Sequence, residues 1–532
     1  MSAPRARARR PRGAVRPGLV DRSEAACGAV LEDAAHYPGG RAVGVATPAT
    51  EAEVAALLRL GEPLLPVGAQ SSLTGGATPR GEIVVRMAGF TEIGRLRSGT
   101  VSAGAGVTLD RLQLVLGEAG RWYPPVPTYT GASVGGVVAT NAAGPATFKH
   151  GDTRRWVRGL TIVLASGDVL DLERGQVVST GGAGFEIDTT AGTLHVPVPS
   201  TRRPLVPKCS AGYLGGDPFD LVDLFIGAEG TLGVVTAAVL ETAPRPAARV
   251  LGMVPVPAVG RALQLVEALR RHAQRTWASG DPLGIDLAAI EHLDGRSIAL
   301  LREDGTAARL GLAVPDGTAV VLFVDLETSR PLSSAAAWAE VESALSPDAP
   351  ATPLATFCRL LADHGVLDDA ELAFPDDHAH AQRFAAIREA VPDTVNRRVA
   401  QARVHDARIS KTAADVVVPV QRLPDLLESI DAIFGGAGLD YAVWGHVSDG
   451  NLHPNVLPAS WEDVERGRAA VLALGRRVIA LGGSPLAEHG VGRNPVKQQL
   501  LHLLHGEAGM ASMRAVRRAL DPLCRLAPGV LF

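Results

Sequence analysis

Apolar and polar positions recur with two different periods along this chain, and the change of period marks its elements. Thr50-Glu51-Ala52-Glu53 opens the apolar run Val54 to Leu60 as a capping box, so the spacing predicts a helix there. Leu64-Leu65-Pro66-Val67 is a short continuous apolar run and predicts a buried strand. Leu263, Leu265, Val266 and Leu269, within Arg261 to Arg271, fall at helical spacing and predict an amphipathic helix. Val234-Val235-Thr236 predicts a β-branched strand.

The most informative pattern is Trp444-Gly445-His446-Val447-Ser448-Asp449-Gly450-Asn451-Leu452-His453-Pro454-Asn455. With Asp449-Gly450 as a two-residue hairpin turn, His446 is expected directly opposite His453. Opposed strand residues have Cβ atoms roughly 4.5–5.5 Å apart, close enough for two imidazoles to converge on one metal ion. The period-2 rule puts Trp444 and Asn455 on the same face. Some thirty residues on, Ala487-Glu488-His489-Gly490-Val491-Gly492-Arg493 offers a carboxylate and a third imidazole. Two histidines and one carboxylate with open positions suit a catalytic divalent metal.

Composition narrows the class. A chain of 532 residues is too long for one core, so two or three domains are expected. Hydrophobic residues make up 46%, charged residues 20%, and the net charge of −4 argues against a nucleic-acid surface. No apolar run approaches the roughly 18 residues of a membrane span, so a cytoplasmic protein, or one peripheral to the inner face of a membrane, is expected. The basic N-terminus, Pro4 to Arg12, lacks the apolar segment of an export signal, and residues 1–35 read as a disordered leader and lead-in. Cys27, Cys209, Cys358 and Cys524 form no C-x-x-C pair, so neither a structural zinc nor an iron–sulfur cluster is indicated.

Three small-residue segments follow strands or lead into them. Gly68 to Gly76 can bring backbone N–H groups close to a diphosphate, but it lacks the Gly-Lys-Ser/Thr ending of a Walker loop. Pro127 to Gly144 and Gly227 to Thr236 are the other two. Gly104-Ala105-Gly106 is not a dinucleotide fingerprint, because Leu109 stands at its third glycine position. Three such segments suggest a domain that wraps an extended ligand with its backbone.

In their joint order these motifs resemble the flavoenzymes of the vanillyl-alcohol oxidase and p-cresol methylhydroxylase superfamily, and more narrowly its D-2-hydroxyacid dehydrogenase branch. The likeness runs from about residue 40 to the C-terminus. It implies an α+β protein: a two-subdomain FAD-binding domain of the p-cresol methylhydroxylase type over residues 36–246, then an α+β FAD-linked oxidase C-terminal substrate or cap domain over 247–532. It implies that Pro66, Val67, Gly68, Ala69, Gln70, Ser71, Ser72, Thr74, Gly75 and Gly76 cradle the FAD pyrophosphate. Thr128, Thr130, Gly131, Ser133, Gly135, Gly136, Asn141 and Gly144, with Glu229, Gly230, Gly233 and Val235, would complete that site. No histidine stands in the first loop, so non-covalent FAD is implied.

Lys208-Cys209-Ser210-Ala211-Gly212-Tyr213 resembles the family's Lys-Asn-x-x-Gly-Tyr segment, with cysteine in place of asparagine. The same resemblance assigns His446, His453 and Glu488 as ligands of a divalent metal, zinc or manganese. It makes His489 the general base, Asn455 a substrate contact and Arg388 the partner of the substrate carboxylate. Pro392 stands where hydroxyglutarate-specific members carry threonine, and Lys411 only approaches their following lysine, so a D-lactate-like acid is the expected substrate. The expected partners are a small 2-hydroxy acid and an electron acceptor left open among quinone, cytochrome, electron-transferring flavoprotein and a separate iron–sulfur subunit. A homodimer stays open. The alternatives are a non-redox flavin transferase like alkyl-dihydroxyacetonephosphate synthase and the flavin subunit of a larger electron-transfer complex. The segment Gly175 to Val206 reads as a surface excursion.

Overall fold

The structure, a computed structural model, describes residues 3–532 and contains mixed helices and strands, an α+β architecture. It divides into two compact units that do not follow the chain linearly. Of the described residues, the first comprises 3–144, 151–245 and 484–532, and the second 145–150 and 246–483. The expected boundary near 246 is where the chain enters the second unit. The expected C-terminal domain, however, takes in residues 484–532, which the structure packs in the first unit.

The first unit is built on two four-stranded sheets. One has the order Val20–Asp21, Arg41–Ala46, Arg80–Arg86, Leu64–Val67, and the other Thr100–Gly104, Val234–Glu241, Val157–Val163, Val169–Glu173. The predicted helix is Glu51–Arg59, with Thr50 Oγ1 accepting from the Glu53 amide at 3.2 Å. Its Val54, Leu57 and Leu58 enter one core with Leu64, Ile83 and Leu526. The presence of Leu526 shows why the C-terminal residues belong here: the Leu64 amide donates to Arg525 O, and the Ala527 amide to Leu64 O, extending the edge beside Leu64.

The basic leader is ordered, contrary to the expectation from its composition. Arg5–Arg7 is a strand paired in parallel with Glu186–Asp188, and Gly192–Val196 completes a three-stranded sheet. Arg9 places its guanidinium 2.6 Å from both Glu51 and Asp171. The segment Gly175 to Val206 therefore supplies two of those strands rather than a bare loop. Charge density alone suggested disorder; the compensating carboxylates lie more than 40 residues away in sequence.

The second unit centres on an eight-stranded antiparallel sheet. Its path is Glu371–Ala373, Ala248–Val256, Val320–Thr328, Asp286–Asp294, Tyr441–His446, Asn451–Val456, Thr412–Ala413, with Val416–Val417 also paired to Asn451–Val456. The predicted amphipathic helix extends over Val259–Ser279, burying Ala262, Leu265, Val266, Leu269 and Ala273, and ends at Gly280 in the left-handed region at φ 67°. The segment Pro145–His150 is anchored in this unit. Phe148 lies under the Arg270 guanidinium, and Lys149 Nζ sits 2.7 Å from Asp286 and 2.5 Å from Glu327.

Candidate active-site residues

The hairpin Tyr441–His446 and Asn451–Val456 pairs Trp444 with His453 and His446 with Asn451, so the two histidines are not directly opposed as expected. The turn is longer than two residues. Val447–Asp449 forms a 3-10 turn, and Gly450 closes it at φ 84°. Two side chains fix this geometry: Asp449 Oδ1 accepts from the Asn451 amide at 3.1 Å, and Ser448 Oγ accepts from the Ile290 amide of the neighbouring strand at 3.1 Å. The slip amounts to two residues, which matches the side-chain period and leaves every residue on its face. Trp444, His446, His453 and Asn455 therefore still share one face, with the imidazoles diagonal, their centroids 5.4 Å apart and their planes at 87°. Both histidines are buried.

Each ring has a carboxylate behind it. His446 Nδ1 lies 2.5 Å from Glu291 Oε1, and His453 Nδ1 lies 3.4 Å from Asp415 Oδ1. A carboxylate on one ring nitrogen fixes the tautomer and raises the basicity of the other, the arrangement of metal-ligating histidines. The donor set, two buried imidazoles of which His446 has its Nδ1 bonded to Glu291, fits a divalent cation. Asn455 donates from Nδ2 to His453 O at 2.9 Å, while its Oδ1 is buried with no donor among the described residues. Arg388, on the helix His378–His405, approaches Glu291 Oε2 to 3.8 Å, so Glu291 stands between this arginine and His446.

Glu291 and Asp415 were not singled out from sequence. The available signal was a lone glutamate in the apolar strand Asp286–Asp294 and an aspartate directly before Val416-Val417-Val418.

The remaining two candidates, Glu488 and His489, lie in the first unit. Glu488 Oε2 accepts from Lys208 Nζ at 2.7 Å, and this lysine has no solvent exposure. His489 Nε2 lies 3.8 Å from Glu488 Oε1. The loop beyond them is held by Glu229, whose carboxylate accepts from the Val491 amide at 2.8 Å and the Gly492 amide at 2.9 Å.

Burial pushes the Glu229 carboxyl up to about 7 from its ordinary 4.5. A pKa raised in the folded state means that the native protein binds the proton more tightly. The associated stability is complete below about pH 4.5 and is lost as pH rises to about 7. In Glu229→Gln this contribution is absent, so the difference in urea midpoint between about pH 5 and pH 7.5 should shrink relative to wild type. An unchanged difference would contradict the assignment.

Among the segments assigned to the cofactor, two glycines are required by close packing between the segments and their neighbours. A Cβ on Gly68 would fall 2.1 Å from Ser133 Oγ, and one on Gly135 would fall 2.7 Å from the Ala105 Cβ. Ser133 Oγ caps the helix Val134–Thr140 by accepting from the Gly136 amide, and Ser72 Oγ accepts from the Thr74 and Gly76 amides. Three side chains assigned to FAD are already used within the protein. Gln70 donates to Val30 O and Ala77 O, Asn141 donates to Asp152 and Cys209 O, and Glu229 holds residues 491 and 492. They shape the loops, leaving glycine backbone and hydroxyls to meet a diphosphate, which such a cradle suits.

Comparison with known proteins gives two family matches: FAD linked oxidases, C-terminal domain, over residues 245–531, and an FAD binding domain over residues 42–173. The chain is 27% identical over 478 residues to glycolate oxidase subunit GlcD of Bacillus subtilis, covering 88% of this chain and 84% of that protein. It is 27% identical to a D-2-hydroxyglutarate dehydrogenase of Xanthomonas citri, covering 92% and 89%. To a D-lactate dehydrogenase of Anaerostipes hadrus it is 26% identical, covering 90% and 86%. The solved structure of an alkyldihydroxyacetonephosphate synthase superposes with a TM-score of 0.58 at 14% identity, over 96% of this chain and 82% of that one, a likeness of fold alone.

Proposed function

This chain belongs to the FAD linked oxidases, and from that premise we propose that it oxidises a D-2-hydroxy acid, D-lactate-like in size, to the 2-oxo acid. FAD, when bound, supplies the acceptor for the hydride leaving C2, and a divalent metal, when bound, lowers the pKa of the C2 hydroxyl. His446 and His453 would hold the metal. Glu488 is proposed as the third ligand on the sequence resemblance. His489 removes the hydroxyl proton, since an imidazole titrates near neutral pH. Arg388 pairs with the substrate carboxylate through a charge-assisted fork, and Asn455 offers its carboxamide oxygen to the hydroxyl. Glu291 and Asp415 orient the two metal-binding rings.

The observation that carries this reading is the face on which two buried imidazoles, each with a carboxylate behind it, meet an asparagine with an open oxygen. The test is anaerobic titration of the flavin-loaded protein with D- and L-2-hydroxy acids, followed by flavin absorbance. Bleaching by D-acids alone is expected, and prior chelation should abolish it. A flavin that stays oxidised with every acid, in protein containing both FAD and metal, would overturn the reading in favour of the transferase alternative.

A further inference from the structure

A second polar site lies in the first unit, apart from the residues named so far as catalytic. It is a cavity of about 230 Å³ lined by Asp152, Arg154, Arg155, Arg158, Arg174, Arg203 and Asp223. Five guanidiniums here face two carboxylates. Glu241, outside the lining, pairs with Arg158, yet positive charge remains in excess by two.

Part of this cluster holds the fold together. Arg154 donates to Asp223 O and Ile226 O, each at 2.6 Å, and lies 3.1 Å from the Asp223 carboxylate. Arg174 donates to Val157 O and to the same carboxylate. Arg203 is held by Asp152 and by Pro207 O.

These bonds do not exhaust the donors. The Arg203 Nε is buried with no acceptor, and a buried donor left unmade is costly in free energy. Arg155 is exposed and its guanidinium has no hydrogen bond or ion pair among the described residues, although its side chain folds back over Gly151. The whole Arg155 fork and the unused Arg203 Nε belong to the lining of one open depression.

We propose that this cavity binds a small phosphate-bearing anion of pyrophosphate size. A guanidinium fork matches phosphate oxygens with two parallel bonds, and the excess positive charge around the Arg155 fork favours a multiply charged phosphate over a single carboxylate. The volume equals about eight times the roughly 30 Å³ that a water molecule occupies in the liquid, enough for two linked phosphoryl groups. The site adjoins one segment assigned to FAD, since Asp152 accepts from Asn141 Nδ2 at 2.9 Å and the Arg154 amide donates to Asn141 Oδ1 at 2.9 Å, and it stands whether or not the proposed oxidation is correct.

The experiment uses the full-length protein saturated with FAD, titrated calorimetrically with inorganic pyrophosphate at ionic strength held constant with potassium chloride. One saturable site is expected, weakened at least tenfold in Arg155→Glu and retained within about threefold in Arg155→Lys. Arg155 has no partner to lose, so both variants should keep their FAD content and melting temperature. Absence of saturable binding, equal affinity in Arg155→Glu, or binding seen only in flavin-depleted protein would each overturn the proposal. The last result would place the anion in the flavin's own diphosphate cradle.

Discussion

His453→Ala is expected to retain FAD yet lose reduction of the flavin by any D-2-hydroxy acid, with the rate falling by about 10³ or more. A metal acting as a Lewis acid contributes several kcal/mol of charge stabilisation, and each ~1.4 kcal/mol is tenfold in rate. His453 stands on the central hairpin with its ring 5.4 Å from that of His446, so deletion removes one of two imidazoles on that face. Metal content should fall with the rate. Glu291→Gln, which keeps both rings but weakens the support of His446, should cost only about 10–100-fold in metal affinity. Anaerobic stopped-flow absorbance with metal analysis of the same samples decides the matter. A His453→Ala protein that is metal-free and still reduced at the wild-type rate would remove the hairpin from the chemistry.

Lys208→Met should produce the largest loss of stability of any single substitution in the first unit that leaves the sheets intact. The ammonium is wholly enclosed and 2.7 Å from Glu488. Removing it takes the ammonium from a carboxylate whose side chain is only 9% exposed, and breaking a buried ion pair from one side typically costs about 3–5 kcal/mol. The double substitution Lys208→Met with Glu488→Leu should recover much of that loss, because an apolar pair of similar volume is often neutral. Urea unfolding of the FAD-loaded proteins measures both. If Lys208→Met costs less than about 1 kcal/mol, the pair contributes little, and Glu488 needs no cation to be accommodated.

Much of this protein could be read from its pattern, for physical reasons that differ by element. The helix Glu51–Arg59 and the strand Leu64–Val67 carry their determinants locally, in a cap and in a run of apolar residues, so their prediction needed no tertiary information. The face shared by Trp444, His446, His453 and Asn455 followed from the two-residue period alone. Its register did not, because that depends on Ser448 bonding to Ile290, a residue 158 positions away. The same limit explains the leader. Arg5, Arg9 and Arg16 look unpartnered in sequence, and their carboxylates, Glu186, Asp171, Glu51 and Glu53, are supplied by distant parts of the chain. Glu229 shows a different limit: a motif match identified a residue that matters near the cofactor segments, whereas only coordinates show its carboxylate gripping residues 491 and 492.

The extension of the Leu64 edge by Arg525 and Ala527 has a consequence for biogenesis. On the ribosome, the strand Leu64–Val67 emerges long before the residues that cover its edge, and the whole of 246–483 must be made in between. The first unit cannot close its core around Leu526 until all of residues 246–483 have been made. During that interval the exposed edge is a template for wrong pairing between nascent chains. The intervening unit, whose sheet draws on residues 248–456, is free to fold first, so a strand made before it completes its packing after it.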